Sequence, residues 1–328
     1  MNSSRAIYTG LDLGKFIAAL LVLTLHTRPF APVANINYWV SCVCRIAVPF
    51  FFIASSFLFY TRKGNIRKYV IRILVLYAVW FVLEAPLTFY RSFVEPDKSA
   101  LYNLAVFMRG LLVNSTFYAS WFLTASWQGM LIVWWLSRKV SRKWLTIIGL
   151  VCFMASLPGT MWYGLIADTP VRSAYWLFNM ILCPANSFII AIPYCILGKF
   201  LAEGAFNPSR KEGILFLTAA ILFSALEIWI CRNTYWMTDS YLGLLFLSPL
   251  LAWFMSQARI GFSDNVSKCL RNCSTLIYLS HLPFRFLFMY LNVGYGWKLF
   301  LLTLSASLVF SFTIWLLSLW IRPLKYLY

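Results

Sequence analysis

The chain has 328 residues and a formal net charge of +18; 61% of its residues are hydrophobic and only 12% are charged. An ordinary soluble domain carries about 25% charged residues, so this composition excludes a soluble core and indicates a membrane protein. The basic residues lie in short clusters between apolar runs, which argues against a nucleic-acid partner. We predict an all-α, polytopic helix bundle in a single domain over residues 1–328.

Apolar runs long enough to cross a bilayer, roughly 20 residues each, recur along the chain. They predict about ten transmembrane helices, at Leu13–Arg28, Tyr38–Tyr60, Tyr69–Tyr90, Ser120–Leu136, Trp144–Tyr163, Tyr175–Leu201, Gly213–Ile230, Tyr241–Gln257, Ser274–Leu291 and Trp297–Ile321. Pro49 is expected to kink the second helix, and Pro184 and Pro193 to interrupt the sixth. The segment Leu101–Leu112 is expected to be interfacial or re-entrant, because a span there would reverse every later loop.

The distribution of charge predicts the orientation of these helices. In a ten-span topology most basic residues share one side with both termini, including Arg5 and the clusters Arg62–Arg72, Arg138–Lys143 and Arg210–Lys211. The opposite side collects acidic residues, namely Glu95, Asp97, Asp168 and Asp239. Because cytoplasmic loops are rich in Lys and Arg, we expect both termini in the cytosol and a multi-pass protein of the plasma membrane. Such loops would also attract anionic lipid headgroups.

The first helix carries three ionisable residues, Asp12, Lys15 and His26. Eleven residues separate Lys15 from His26, so at about 100° per residue both lie on one face, roughly 16 Å apart along the axis. That face is expected to connect the cytosolic boundary at Lys15 with the outer leaflet at His26.

Other polar side chains are expected between mid-membrane and the depth of His26, namely Arg45, Glu84, Trp121, Gln128, Asn179, Glu227, His281 and Arg285. Ionisable groups inside spans are costly and usually functional or paired, so this set predicts a polar cavity open to the outside. Simpler interpretations stay open: His26 as a structural histidine, Arg45 and Glu84 as an ion pair, and Trp121 as a packing residue. The eight cysteines lack metal-ligand spacing, so we predict no metal site.

Three segments carry a family resemblance. Leu11–Ala18 followed by His26 resembles the first helix of the acyltransferase 3 family, which comprises membrane enzymes that transfer acyl groups to extracytoplasmic acceptors. Arg45–Ser56 is similar to the second-helix signature of that family, and Leu276–His281 is similar to its late Tyr-x-x-His segment. The three segments occur in the order and spacing of the family.

Two further stretches, Leu111–Phe122 and Thr238–Ser240, resemble the membrane domain attached to vancomycin-resistance serine racemases. We expect no racemase domain to follow them. The chain also departs from the family pattern. Lys15 stands where the family usually has Arg, Ser55-Ser56 replaces Ser-Gly, and Ala119–Phe122 lacks the histidine of the usual His-x-Trp-Phe. Lysine lacks the planar fork with which arginine holds phosphate.

The resemblance implies an O-acyltransferase that uses cytosolic acyl-CoA as donor substrate, with acetyl-CoA as the expected donor, and that has no permanently bound cofactor. The implied acceptor is a hydroxyl of a cell-surface saccharide. The catalytic candidates are His26 as general base, Asp12 and Arg45; an unperturbed imidazole pKa of about 6.5 suits that role. The donor-binding candidates are Lys15, Lys68, Arg72, Ser55 and Tyr278, and the acceptor-binding candidates are Glu84, Trp121, His281 and Arg285.

A transporter or flippase-like carrier is the rival interpretation, because a polar intramembrane cavity with broken helices serves that function too. Carriers often contain paired half-repeats, and the sequence shows none. The acyltransferase interpretation therefore takes precedence.

Overall fold

A computed structural model describes residues 8–94, 98–114, 116–117 and 120–328. Within these ranges the chain is helical and has no strand, which confirms the predicted all-α class. Of the positions used in the sequence analysis, Arg5, Glu95, Asp97 and Ala119 lie outside the described residues.

Fourteen α-helices are present in the described ranges. In chain order they are α1 (Thr9–Thr27), α2 (Ala34–Cys44), α3 (Ala47–Thr61), α4 (Ile66–Leu83), α5 (Ala85–Phe89), α6 (Ala100–Leu112), α7 (Ser120–Leu136), α8 (Arg142–Met154), α9 (Val171–Leu182), α10 (Phe188–Ala202), α11 (Arg210–Cys231), α12 (Gly243–Gln257), α13 (Asp264–Tyr290) and α14 (Trp297–Leu317). A π-helical turn, Tyr90–Val94, follows α5, and short 3₁₀ turns connect several of the longer helices.

Five helical stretches of the described chain are long and apolar enough to cross a membrane: Thr9–Thr27, Ala34–Thr61, Val171–Ala202, Arg210–Cys231 and Trp297–Leu317. A sixth is obtained if α4 and Ala85–Val94, which are bent by 74° relative to each other, form one span. These stretches identify a membrane protein. The number of ten spans stays a prediction. The helix α6 is short and apolar, and its interfacial or re-entrant placement also stays a prediction.

The helices α1 and α13 run side by side in the same direction. Asp12 contacts Ser267 near their N-terminal ends, and His26 contacts His281 near their C-terminal ends. Fourteen residues separate the two contacts on each helix, so the helices stay in register over about 21 Å. The helix α3 runs the opposite way, since Tyr8 contacts Phe57 at a ring-centroid distance of 5.3 Å and Gly14 lies against Phe50.

A close approach between α3 and α10 fixes the centre of the bundle. Ser56 Oγ donates a hydrogen bond of 2.6 Å to the carbonyl oxygen of Cys195. A Cβ atom at Gly198 would lie 2.4 Å from the carbonyl oxygen of Ile53, so only glycine permits this separation. The hydroxyl of the neighbouring Ser55, a predicted donor-binding group, forms no hydrogen bond with another described residue.

The second predicted helix is two helices, and the predicted kink at Pro49 is wrong. The break lies at Arg45-Ile46, between α2 and α3. Pro49 occupies the first turn of α3, where its missing N–H leaves no helical hydrogen bond unmade.

Three other helix boundaries differ from prediction. The helix α8 ends at Met154 rather than Tyr163, because the 3₁₀ turn Leu157–Gly159 contains Pro158 and Gly159. The helix α13 begins at Asp264 rather than Ser274, where Ser263 caps it by accepting a hydrogen bond from Val266 N. The break near Pro184 is confirmed, but α10 continues through Pro193.

Candidate functional site

The two histidines of the chain lie together. The ring centroids of His26, from α1, and His281, from α13, are 5.3 Å apart with an interplanar angle of 35°. His281 is fully buried, at 0% exposure, and His26 is partly exposed. The structure thus joins a predicted catalytic residue to a predicted acceptor-binding residue in one centre, which we call the histidine pair.

Backbone carbonyls fix the tautomer of His281. Its Nδ1 lies 2.7 Å from the carbonyl oxygen of Tyr278 and 3.2 Å from that of Ile277. Because a carbonyl only accepts, Nδ1 carries the proton and Nε2 presents a lone pair. This Nε2 is buried and has no hydrogen-bond partner among the described residues. A buried acceptor without a donor costs about 1–3 kcal/mol, and such an atom suits a site that a ligand completes.

Two arginines stand next to the histidine pair. Arg28 follows His26 by two residues, and Arg285 follows His281 by one helical turn. Both guanidinium groups lie against Tyr295, with Cζ atoms 5.3 Å and 5.2 Å from its ring centroid. Arg285 also donates a hydrogen bond to the Tyr295 hydroxyl. We call these three residues the arginine gate.

Arg45 belongs to an ion pair. Its Nη1 lies 2.6 Å from Asp239 Oδ1, and its Nε donates a hydrogen bond of 3.2 Å to Thr238 Oγ1. The alternative in which Arg45 pairs with Glu84 is therefore wrong, because the break after α2 turns Arg45 toward Asp239. Arg45 still contributes positive potential, since it is among the strongest electrostatic neighbours of His26, with His281, Arg285 and Arg28.

Glu84 lies at the bend between α4 and α5. It is 5% exposed, and neither carboxylate oxygen has a hydrogen-bond partner among the described residues. The described contacts do not join it to the histidine pair, so its predicted role in acceptor binding stays a prediction.

An aromatic layer lies beside the histidine pair, toward the N-terminal ends of α1 and α13. Tyr278 is buried, with its ring centroid 5.2 Å from that of Phe122 and 5.8 Å from that of Phe51. The Trp121 ring lies 6.4 Å from Phe52. These contacts give both predicted site residues a packing role, and binding roles for Tyr278 and Trp121 stay predictions.

A basic cluster lies at the other end of α1. The electrostatic neighbours of Lys15 are Asp12, Arg271, Arg72 and Arg62. The structure thus brings two predicted donor-binding residues, Lys15 and Arg72, together and adds Arg271 to them. Lys68 is exposed one turn before Arg72 on the same face of α4.

Asp12 lies within this basic cluster and not in the histidine pair. Its Oδ2 accepts a hydrogen bond of 2.6 Å from Ser267 Oγ and lies 3.8 Å from Arg271 Nη1. About 21 Å of helix separates it from His26. The structure therefore contradicts a catalytic centre shared by Asp12 and His26, because the two side chains cannot meet.

Comparison with known families decides the relationship. The model of a family described as an acyltransferase domain matches residues 8–320. The chain belongs to this acyltransferase family. The match confirms the family predicted from the motifs, and it supports an acyltransferase activity in a membrane protein.

Curated relatives of this acyltransferase-family chain are racemases. An amino-acid racemase of Enterococcus faecalis is 26% identical over 217 residues, covering 63% of this chain and 30% of the relative. A serine/alanine racemase of Enterococcus gallinarum is 24% identical over 231 residues, covering 66% of this chain and 32% of the relative. The chain thus spans about a third of the length of these relatives. No solved structure matches it.

Three residues of the candidate site were not predicted from the sequence of this acyltransferase-family chain: Ser267 and Arg271 near the basic cluster, and Tyr295 in the arginine gate. A signal for Ser267 exists: it precedes His281 by the same fourteen residues that separate Asp12 from His26. Equal spacing of polar residues on two helices is what parallel packing requires. Tyr295 lies in the connection between α13 and α14, where no periodicity marks it.

Two cavities lie away from the histidine pair of this acyltransferase-family chain. One of about 820 Å³ lies between α8, α10, α11 and α12, and Arg142 and Thr146 are the polar side chains that line it. It contains no predicted site residue, and its apolar walls suit lipid chains. A second of about 300 Å³ lies between α1, α13 and α14 and is lined by Phe16, the neighbour of Lys15, and by Cys269 and Cys273.

Proposed function

We propose that this protein is a membrane O-acyltransferase that moves an acetyl group from cytosolic acetyl-CoA to a hydroxyl of a cell-surface saccharide. The observation that carries the proposal is the parallel pair α1–α13, which holds the basic cluster at one end and the histidine pair at the other. The proposal places the protein in the plasma membrane with about ten spans and both termini in the cytosol.

The basic cluster is the proposed site for the phosphates of acyl-CoA. Lys15, Arg72 and Arg271 lie close enough to influence one another electrostatically, so together they attract a polyanion. The pantetheine arm then follows the face of α1 from Lys15 to His26, a distance of roughly 16 Å. The cavity of about 300 Å³ is lined by Phe16, the neighbour of Lys15, so it lies near the start of this route rather than along it.

At the histidine pair, His26 acts as general base. Its imidazole takes the proton of the acceptor hydroxyl as the oxygen attacks the thioester carbonyl carbon. The new C–O bond forms, the C–S bond breaks, and the proton on His26 passes to the leaving sulfur. The arginines around His26 stabilise the negative charge that develops on the carbonyl oxygen.

His281 is a positioning residue in this mechanism. The lone pair on its buried Nε2 is suited to accept a hydrogen bond from one ring nitrogen of His26. That bond would place the proton of neutral His26 on the nitrogen facing His281 and leave the other nitrogen free to act as base.

The test is release of free thiol from acetyl-CoA by the protein in membrane vesicles, compared with His26→Ala. We expect the substitution to reduce the rate by about 10²–10⁴-fold, the usual contribution of a general base. Ile17→Ala is the matched control, because Ile17 is an exposed residue of the same helix. Near-normal thiol release by folded His26→Ala would contradict the proposal, and no release with any short acyl-CoA would favour the carrier interpretation.

A further inference from the structure

We propose that the acceptor carries an anionic group, a carboxylate or a phosphate, which binds between Arg28 and Arg285. The inference rests on the proposed function and names the class of its acceptor. It comes from the way two helices each present a histidine followed by an arginine.

The two His–Arg segments converge on one place. His26 and His281 contact each other, and Arg28 and Arg285 both lie within 5.3 Å of the Tyr295 ring centroid. Both guanidinium groups lie against one aromatic ring and both act electrostatically on His26, so their positive charges add up beside the histidine pair. An anion between them balances these charges and accepts hydrogen bonds from both.

The charge of the arginine gate is not balanced within the described chain. No acidic side chain in the described residues forms an ion pair with Arg28 or Arg285, whereas Arg45 is paired with Asp239. The Nε of Arg285 is buried without a hydrogen-bond partner. The Tyr295 ring stabilises a cation by about 0.5–1 kcal/mol at an exposed site, but it does not neutralise the charge.

The same place also holds the histidine pair. The Nε2 of fully buried His281 has no hydrogen-bond partner among the described residues, and the proposed mechanism gives it the N–H of His26, which leaves the other ring nitrogen of His26 to receive the proton of the acceptor hydroxyl. Arg285 lies about 6 Å farther along α13 than His281, and Arg28 directly follows the end of α1, two residues after His26. This offset matches an acceptor whose acidic group lies on the same sugar ring as its reactive hydroxyl.

Binding is tested with the full-length protein in nanodiscs, without acyl-CoA, by calorimetric titration of three probes: glucuronate, glucose 6-phosphate and glucose. We expect at least one anionic sugar to bind about tenfold or more tightly than glucose, and this preference to weaken as salt is raised. The stronger of the two anions distinguishes a carboxylate acceptor from a phosphate acceptor.

The variant Arg28→Gln/Arg285→Gln should abolish the preference for the anion. Arg172→Gln/Arg232→Gln is the matched control, because it removes two exposed basic residues that have no place in the site. Arg28→Lys/Arg285→Lys keeps the charge and should keep a weakened preference, which decides the matter if the glutamine variant does not fold.

Equal affinity for glucose and both anions, or an undiminished preference in the folded glutamine variant, would overturn the inference. Thiol release in the same preparation separates the two proposals. Anion binding without thiol release contradicts acyltransfer and leaves an anion site, whereas thiol release without anion binding overturns the anionic acceptor alone.

Discussion

The two ends of the α1–α13 pair are both polar, yet they differ in how their charges are balanced. At the end formed by the N-terminal parts of both helices, called the inner end because the proposed orientation places it toward the cytosol, Asp12 accepts a hydrogen bond from Ser267 and lies near Arg271 and Lys15. At the opposite end, called the outer end, the histidine pair and the arginine gate include no acidic residue among the described contacts.

This difference indicates that the inner cluster stabilises the contact between the helices, whereas the outer cluster binds a ligand. The inner carboxylate satisfies groups from two helices, so it stabilises their packing even when nothing is bound. The outer end keeps two cations without an acidic partner among the described residues, which costs stability unless a ligand provides a negative charge.

The largest effect is expected for a substitution of Arg45, which forms the ion pair with Asp239 at the outer end. Arg45→Ala should lower the free energy of unfolding by about 3 kcal/mol, because it leaves Asp239 charged with its side chain only 10% exposed. Denaturant unfolding in detergent measures this. Arg45→Met/Asp239→Leu should recover most of the loss, and Arg28→Ala, which leaves no acid unpaired, should change stability by less than about 0.5 kcal/mol.

If Arg28→Ala destabilised the protein as much as Arg45→Ala, the arginine gate would be structural. The comparison between balanced and unbalanced arginines would then fail.

A smaller effect is expected for His281. His281→Ala should lower kcat for thiol release by roughly 10–100-fold, the usual loss when a group that orients a catalytic residue is removed. KM for acyl-CoA should stay unchanged, because His281 lies far from the basic cluster. Ser280→Ala is the control, since the Ser280 hydroxyl is buried nearby without a hydrogen-bond partner. A raised KM with unchanged kcat would contradict a positioning role.

The sequence was sufficient to predict those parts of the fold that follow from hydropathy. The helices α1, α7, α11 and α14 lie close to their predicted ranges, because long and mostly apolar runs define them. Prolines were less reliable: Pro184 marks a break, whereas Pro49 and Pro193 lie within helices. A proline breaks a helix only where neighbouring groups do not compensate for its missing N–H.

The sequence was enough to predict most residues of the candidate site, but it predicted only some of the contacts between them. His26 and His281 were assigned to one polar region by depth, and Lys15 and Arg72 by side of the membrane. The partners Arg45–Asp239 and Asp12–Ser267 were not predicted, because residues almost 200 or more positions apart meet only through helix packing. The hydrophobic pattern of a helix predicts where a residue lies along and around that helix, but it does not predict which other helix packs against it.

The smallest effect is expected for Asp12, and it tests whether the inner cluster is only a contact between α1 and α13. Asp12→Asn keeps an oxygen that accepts the Ser267 hydrogen bond and removes only the attraction to Arg271, which is 37% exposed at its side chain. An ion pair with one solvent-exposed partner contributes about 0.2–1 kcal/mol, so we expect a loss of stability in that range. Thiol release should stay within about twofold of the wild-type rate, because about 21 Å of helix separates Asp12 from His26.

Asp264→Asn, at an exposed position on α13, controls for the loss of one negative charge near the same end. If Asp12→Asn abolished thiol release with normal stability and normal donor affinity, Asp12 would be catalytic. The inner cluster would then be more than a contact between helices.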